Sequence, residues 1–237
     1  MSLTYSTYVT SLANLLPVPS SDANFQTVLG NIIDDAELRM YRDLQLQNTS
    51  QRDSSATFTT LTRNFTLPAT LGTFVVTNQL NVITPAGTTD PELGTRTGLV
   101  PCSQELLNVL WPSVSGSTVP QYFAMVNDNL AIVGPWPDAA YTVEVVGSVR
   151  PAALSSTNVT TLLSVYFPDL FIAASMVFAS GYMKNFGAVV DDPKMAVTWE
   201  GHYQTLLKSA EVEEQMKQFQ GPAWSSSDPT PMTPPRT

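Results

Sequence analysis

Leu130-Ala131-Ile132-Val133-Gly134-Pro135-Trp136-Pro137-Asp138-Ala139-Ala140-Tyr141-Thr142-Val143-Glu144-Val145 decides how this chain is read. A short apolar run enters a stiff turn and Tyr141, Val143 and Val145 alternate after it, which is the pattern of strands rather than of a helix. Pro135 and Pro137 restrict the turn, Trp136 is placed to pin it to a sheet, and Asp138 is expected to close an Asx-turn onto the following amides. Upstream, Tyr122, Ala124 and Val126 precede Asn127-Asp128-Asn129, so residues 121–133 read as a hairpin. Downstream the second strand runs over residues 141–149, with Tyr141, Val143, Val145 and Val149 on one face.

Working outward, β-prone residues dominate from Thr57: Phe58, Phe65-Thr66-Leu67, Phe74-Val75-Val76-Thr77 and Leu80-Asn81-Val82-Ile83. Residues 87–98 read as a loop, and residues 49–55, polar and without a period, read as a linker or loop. Ser103 caps a short helix over 103–111 that Pro112 ends. Regular short strands with turn signals predict a small sandwich or barrel-like sheet.

Helices flank this region. Tyr5, Tyr8, Val9, Leu12 and Leu16 have helical spacing up to Pro17. Ser20-Ser21-Asp22 then offers an N-cap for a helix over residues 20–48, with Phe25, Val28, Leu29, Ile32, Ala36, Met40 and Leu44 on its apolar stripe. Its polar face carries Asp34, Arg39, Arg42 and Asp43. Two further helices are expected over 162–186 and 193–219, joined by 187–192; in the last, Ala196, Trp199, Tyr203, Leu206 and Ala210 form the stripe.

The expected fold is α+β: a helical bundle from the N- and C-terminal segments with an inserted antiparallel β-domain. Residues 1–19 are an N-terminal segment, 20–56 with 158–219 the bundle, 57–157 the β-domain, and 220–237 a Pro-rich extended arm. Five prolines in the last 18 residues (Pro222, Pro229, Pro231, Pro234, Pro235) prevent that arm from building its own core.

Composition narrows the function classes. Of 237 residues 43% are hydrophobic and 13% charged, about half the usual charge fraction, which suits a subunit that buries surface in an assembly and equally a secreted β-protein. A net charge of −9 with scattered Lys and Arg argues against gripping phosphates, because nucleic-acid affinity comes from clustered cations that release counterions. Residues 170–183 are apolar but fall short of the roughly 20 residues of a membrane span. Met1-Ser2-Leu3-Thr4 lacks the basic and apolar regions of an export signal.

No constellation of catalytic residues stands out. Asp34-Asp35 point about 100° apart on a helix and do not face one substrate. Asp191-Asp192 precede a helix start, where carboxylates complement the dipole. His202 is the single histidine and Cys102 the single cysteine, so neither a His-based dyad nor a Cys-based zinc cluster is expected, and no cofactor is implied.

The blocks and their order resemble the head–tail adaptor proteins of short-tailed bacteriophages, also called connector or head-completion proteins. The resemblance rests on Ile33-Asp34-Asp35-Ala36-Glu37-Leu38-Arg39-Met40-Tyr41-Arg42-Asp43-Leu44, on Phe65-Thr66-Leu67-Pro68, on residues 130–144, and on Tyr166-Phe167-Pro168-Asp169-Leu170-Phe171. It covers roughly residues 20–215; Trp136, the long 87–98 loop and the Pro-rich tail depart from the pattern. It implies a virion protein made in the host cytoplasm and assembled as a ring, usually twelvefold, below the portal. The ring would link capsid to tail, to nozzle or fibre proteins, and leave a channel for DNA that passes unbound.

In that setting Asp34, Asp35, Glu211, Glu213 and Glu214 are the candidate channel-facing acids. Pro222, Trp224, Met232 and Arg236 mark the arm as a contact to the portal or a neighbour, and Pro135, Trp136, Pro137 and Asp138 form the structural turn of the β-domain. Two rivals remain at this level: a tail tube or nozzle subunit, and a module that reads a host glycan through Trp111, Trp136 and Tyr122. An enzyme is the least favoured class.

Overall fold

The computed structural model describes residues 2–182 and 194–219. The fold is α+β, and the chain divides into a helical unit, Met1–Gln47 with Ala153–Thr237, and a β unit, Asn48–Ala152.

In the helical unit, α1 (Tyr5–Leu15) starts on a reciprocal cap. The Thr4 hydroxyl accepts from the Thr7 amide, and the Thr7 hydroxyl accepts from the Thr4 amide. α2 (Ala23–Asp43) starts at Asp22, whose Oδ1 accepts from the amides of Asn24 and Phe25, both at 2.9 Å. The predicted helix over 20–48 ends sooner than its composition suggests. Leu44 turns extended, and Leu44 and Leu46 both enter the core on a period of two. Burial of that pair outweighs one more helical turn.

The helix expected over 162–186 breaks into α4 (Leu162–Tyr166) and α5 (Pro168–Tyr182). Proline disfavours helical geometry in the residue before it, so Phe167 leaves the helix and Pro168 takes the first position of the next. α5 is apolar on every side and packs against α1, α2, α4 and α6 (Met195–Phe219). Tyr8 of α1 stacks on Phe171 at 4.9 Å and donates its hydroxyl to Ser175 at 2.8 Å. On α6 the buried face is Tyr203, Leu207, Ala210 and Glu214, with Trp199 and Leu206 half-buried. The joint expected at 187–192, Asp191-Asp192 and the expected helix start at Pro193 lie outside the described residues.

The β unit is a sandwich of two four-stranded sheets. One has the order β1 (Ser50–Thr57), β8 (Thr142–Arg150), β3 (Thr73–Thr84), β4 (Thr95–Gly98), all antiparallel. The other has the order β2 (Asn64–Thr66), β7 (Leu130–Gly134), β6 (Tyr122–Met125), β5 (Val100–Pro101), with β5 and β6 parallel. Phe123, Ala131 and Val133 of the second sheet face Leu80, Val82, Val143 and Val145 of the first in one core. The alternate residues Ala124 and Ile132 face outward and are covered by Leu107 of α3 (Gln104–Leu110).

Two segments of this unit correct the sequence reading. Residues 49–55, expected as a linker or loop, supply most of β1. Its side chains show no apolar alternation, and its ladder with β8 holds it as an edge strand. Residues 87–98, expected as a loop, contain a 3-10 turn at Pro91–Leu93 and then β4, which pairs Arg96 with Ile83.

Candidate functional site

The acidic residues singled out from the sequence fall into different environments. Asp34 is exposed and Asp35 half-buried on α2, while Glu211 and Glu213 are exposed on α6. Glu214 departs from this set: it is 4% exposed, accepts the Gln47 amide at 3.0 Å and pairs with Lys217 at 2.7 Å. It clamps the chain leaving α2 to α6 and is not at the surface with the others. Lys217 also pairs with Glu213 at 2.8 Å; those two carboxylates, Glu213 first, hold its ammonium above its ordinary value.

A polar seam joins α2 to α6. Arg39 donates two hydrogen bonds to the Glu200 carboxylate, at 2.7 and 2.6 Å, and its guanidinium lies 4.1 Å from the centre of the Tyr203 ring. Tyr203 in turn donates to Asp43 at 2.7 Å. The Arg39 bonds hold the Glu200 carboxyl below its usual range, while burial, then the bond to Asp43, raises the Tyr203 phenol. Arg39 and Asp43, read from the sequence as part of a solvated face, are therefore a helix–helix joint.

Glu37, beside them on α2, was not singled out by sequence reasoning. It is 3% exposed, and its Oε1 accepts from the Leu154 amide at 3.1 Å and the Thr161 hydroxyl at 3.3 Å. Burial pushes its carboxyl up to about 7, against the pull of those two bonds. Its sequence signal is a Glu directly after Ala36 on the apolar stripe.

A second charged network, also missed, spans all four strands of the first sheet. Glu144 on β8 is 1% exposed and accepts from Asn81 of β3 at 2.9 Å and Arg96 of β4 at 3.1 Å. Arg52 of β1 approaches it at 3.7 Å, and Arg96 continues to Glu92 at 2.5 Å. The sequence places Glu144 on the face opposite the valines, but nothing local says that the second face is covered too.

The turn at 134–138 is a packed structural joint. Pro135 and Pro137 are buried, and Trp136 donates its Nε1–H to the Trp111 carbonyl at 3.2 Å, just past α3. Asp138 accepts from the Tyr141 hydroxyl at 2.8 Å, in place of the expected Asx-turn. Trp111, Tyr122 and Trp136 are half-buried, with the Trp111 and Tyr122 rings 5.5 Å apart. They fasten α3 to the sheet and do not form a displayed aromatic platform.

His202 is exposed on α6 against Trp199, and Cys102 is half-buried with its thiol raised by burial. Among the described residues no group of three or more His, Cys, Asp or Glu side chains gathers to hold a metal, and no helix is long and apolar enough to cross a membrane. Pro222, Trp224, Met232 and Arg236 lie outside the described residues.

The chain thus combines a helical bundle and a β-sandwich, and Arg39–Glu200, Glu214–Gln47 and Glu144–Arg96 each bridge secondary-structure elements within one unit. The family model for the SU10 adaptor protein matches residues 3–227, and the chain belongs to that family of phage adaptor proteins. No curated protein matches the chain.

Proposed function

We propose that this chain is a structural, non-catalytic ring subunit at the head–tail joint of a phage virion. Copies assemble as a closed ring, twelvefold by family resemblance, below the portal. The ring links the capsid to the next tail component and leaves a channel for DNA. The observation that carries this reading is the family match over residues 3–227, which takes in both units of the fold.

The surface chemistry supports it. A net charge of −9, with Asp34, Asp35, Glu211 and Glu213 at or near the surface of α2 and α6, suits helices that line a passage and repel phosphate. A closed ring requires one surface of each subunit to meet a different surface of the next. Mass photometry of the purified chain, alone and with its portal, tests the reading. A fixed high multiple, free or portal-dependent, is the expected result; a monomer indifferent to portal would refute it.

A further inference from the structure

The first sheet leaves part of the outer side of β3 unpaired. β8 pairs along β3 on one side, but on the other β4 covers only residues 81–84, with the Leu99 amide reaching the Leu80 carbonyl. Residues 73–79, Thr-Phe-Val-Val-Thr-Asn-Gln, have no strand partner on that side among the described residues. They contain no charge and no proline, and Val75 and Val76 are 56% and 52% exposed. Val75 is the unpaired residue of a bulge in the ladder with β8.

The opposite edge of the same sheet is guarded. β1 carries the exposed Arg52, the buried Asp53 on the core side, and a bulge between Asp53 and Ala56, all devices that discourage edge pairing. The β3 edge has no such charge. Beside it lies a groove of about 300 Å³ lined by Val75, Thr77, Met125, Val126, Asn127 and Asp128.

We infer that this edge takes residues 223–228 of a neighbouring copy as an added strand, with Trp224 seated in the groove. The family match continues past the end of α6 at Phe219 to residue 227, so the pattern that defines the family includes this stretch. Residues 223–228 are the longest proline-free run after Phe219; they hold its single aromatic, and Pro222 and Pro229 bound them. Strand addition draws affinity from main-chain hydrogen bonds and specificity from alternate side chains in pockets, which an uncharged edge beside a groove provides. The inference rests on the ring reading: edge and tail are two different surfaces of one chain, as a closed ring needs.

Site-directed disulfide formation in the full chain, in a Cys102→Ser background, tests it. One preparation carries Val75→Cys, and others carry Ser225→Cys, Ser226→Cys or Ser227→Cys; they are mixed, assembled and oxidised. A covalent dimer at least tenfold more abundant in one mixture than in either component alone is the expected result. Rings that form without that dimer overturn the inference and leave the ring reading standing, whereas failure to form any multimer overturns both. A disulfide within isolated chains of the doubly substituted protein also overturns the neighbour assignment. Independently, Val76→Lys is expected to lower ring yield at least fivefold while Val76→Thr does not; equal yields count against the edge.

Discussion

Arg39 and Glu200, 161 residues apart, meet through two hydrogen bonds of 2.7 and 2.6 Å across the α2–α6 seam. The geometry is that of a guanidinium fork on a carboxylate, which a lysine ammonium does not reproduce. The pair ties the first long helix to the last, so it closes the bundle around α5.

Arg39→Ala is expected to destabilise the chain by about 1–2 kcal/mol in urea unfolding, with Arg39→Lys recovering less than half. Because the bond lowers the Glu200 carboxyl in the folded state, this contribution is present above the ordinary carboxylate range and fades as pH falls through it. A loss that stays the same at pH 3 and pH 7 would contradict the assignment.

Glu37 predicts the opposite pH dependence. Its folded value near 7 lies above its ordinary 4.5, so the native state holds that proton more tightly than the unfolded chain. Its contribution is full below about 4.5 and is lost as pH rises through 7. Glu37→Gln keeps an acceptor for Leu154 and Thr161, and is expected to stabilise the chain by about 1–3 kcal/mol at pH 8 but not at pH 5. Thermal unfolding at the two pH values decides it.

Removing Glu144 leaves two guanidiniums and an amide without their shared acceptor. Glu144→Ala is expected to cost about 3 kcal/mol, as breaking a buried pair does, whereas Arg52→Ala at the solvent end costs under about 1 kcal/mol. Equal losses in chemical denaturation would show that Glu144 is not the hub.

Gly147 of β8 lies against β3 so closely that an added Cβ would strike the Val76 carbonyl and press on Phe74. Gly147→Ala is expected to lower stability by about 2–3 kcal/mol through overpacking. Gly201→Ala, where nothing lies within 4 Å, is expected to leave stability unchanged or raise it by up to about 1 kcal/mol. Circular-dichroism melts of the two variants give the comparison.

Replacing Asp34, Asp35, Glu211 and Glu213 together by Lys is expected to make the chain retain duplex DNA at low salt, with steep release as salt rises. The unmodified chain should retain none in the same gel-shift assay. Tight binding by the unmodified chain would sink the proposed repulsive channel.

Much of the fold was legible because its signals are local. The cap at Asp22, the alternation from Tyr141 to Val149, and the Pro-bounded turn at Trp136 depend on neighbours within a few residues. What escaped depended on distant partners. β1 has no apolar pattern and exists because β8 pairs with it, and α2 stops at Asp43 because Leu44 and Leu46 reach the core as extended chain. Pro168 was in plain view, yet the long apolar run around it masked the break it makes.

The same division holds for the candidate sites. By itself the sequence determined the sign of the charge, the scarcity of catalytic residue types, the order of helix, sheet and helix, and the motifs that resemble the adaptor family, since these are fixed by composition and short-range spacing. Only the tertiary structure decided which acids are surface groups and which are joints. Glu213 and Glu214 are adjacent in the chain and share Lys217, but Glu213 is exposed while Glu214 is buried and also holds the Gln47 amide. A carboxylate's role follows from what the fold brings within hydrogen-bonding distance, and the Gln47 amide that sets Glu214 apart lies 167 residues away.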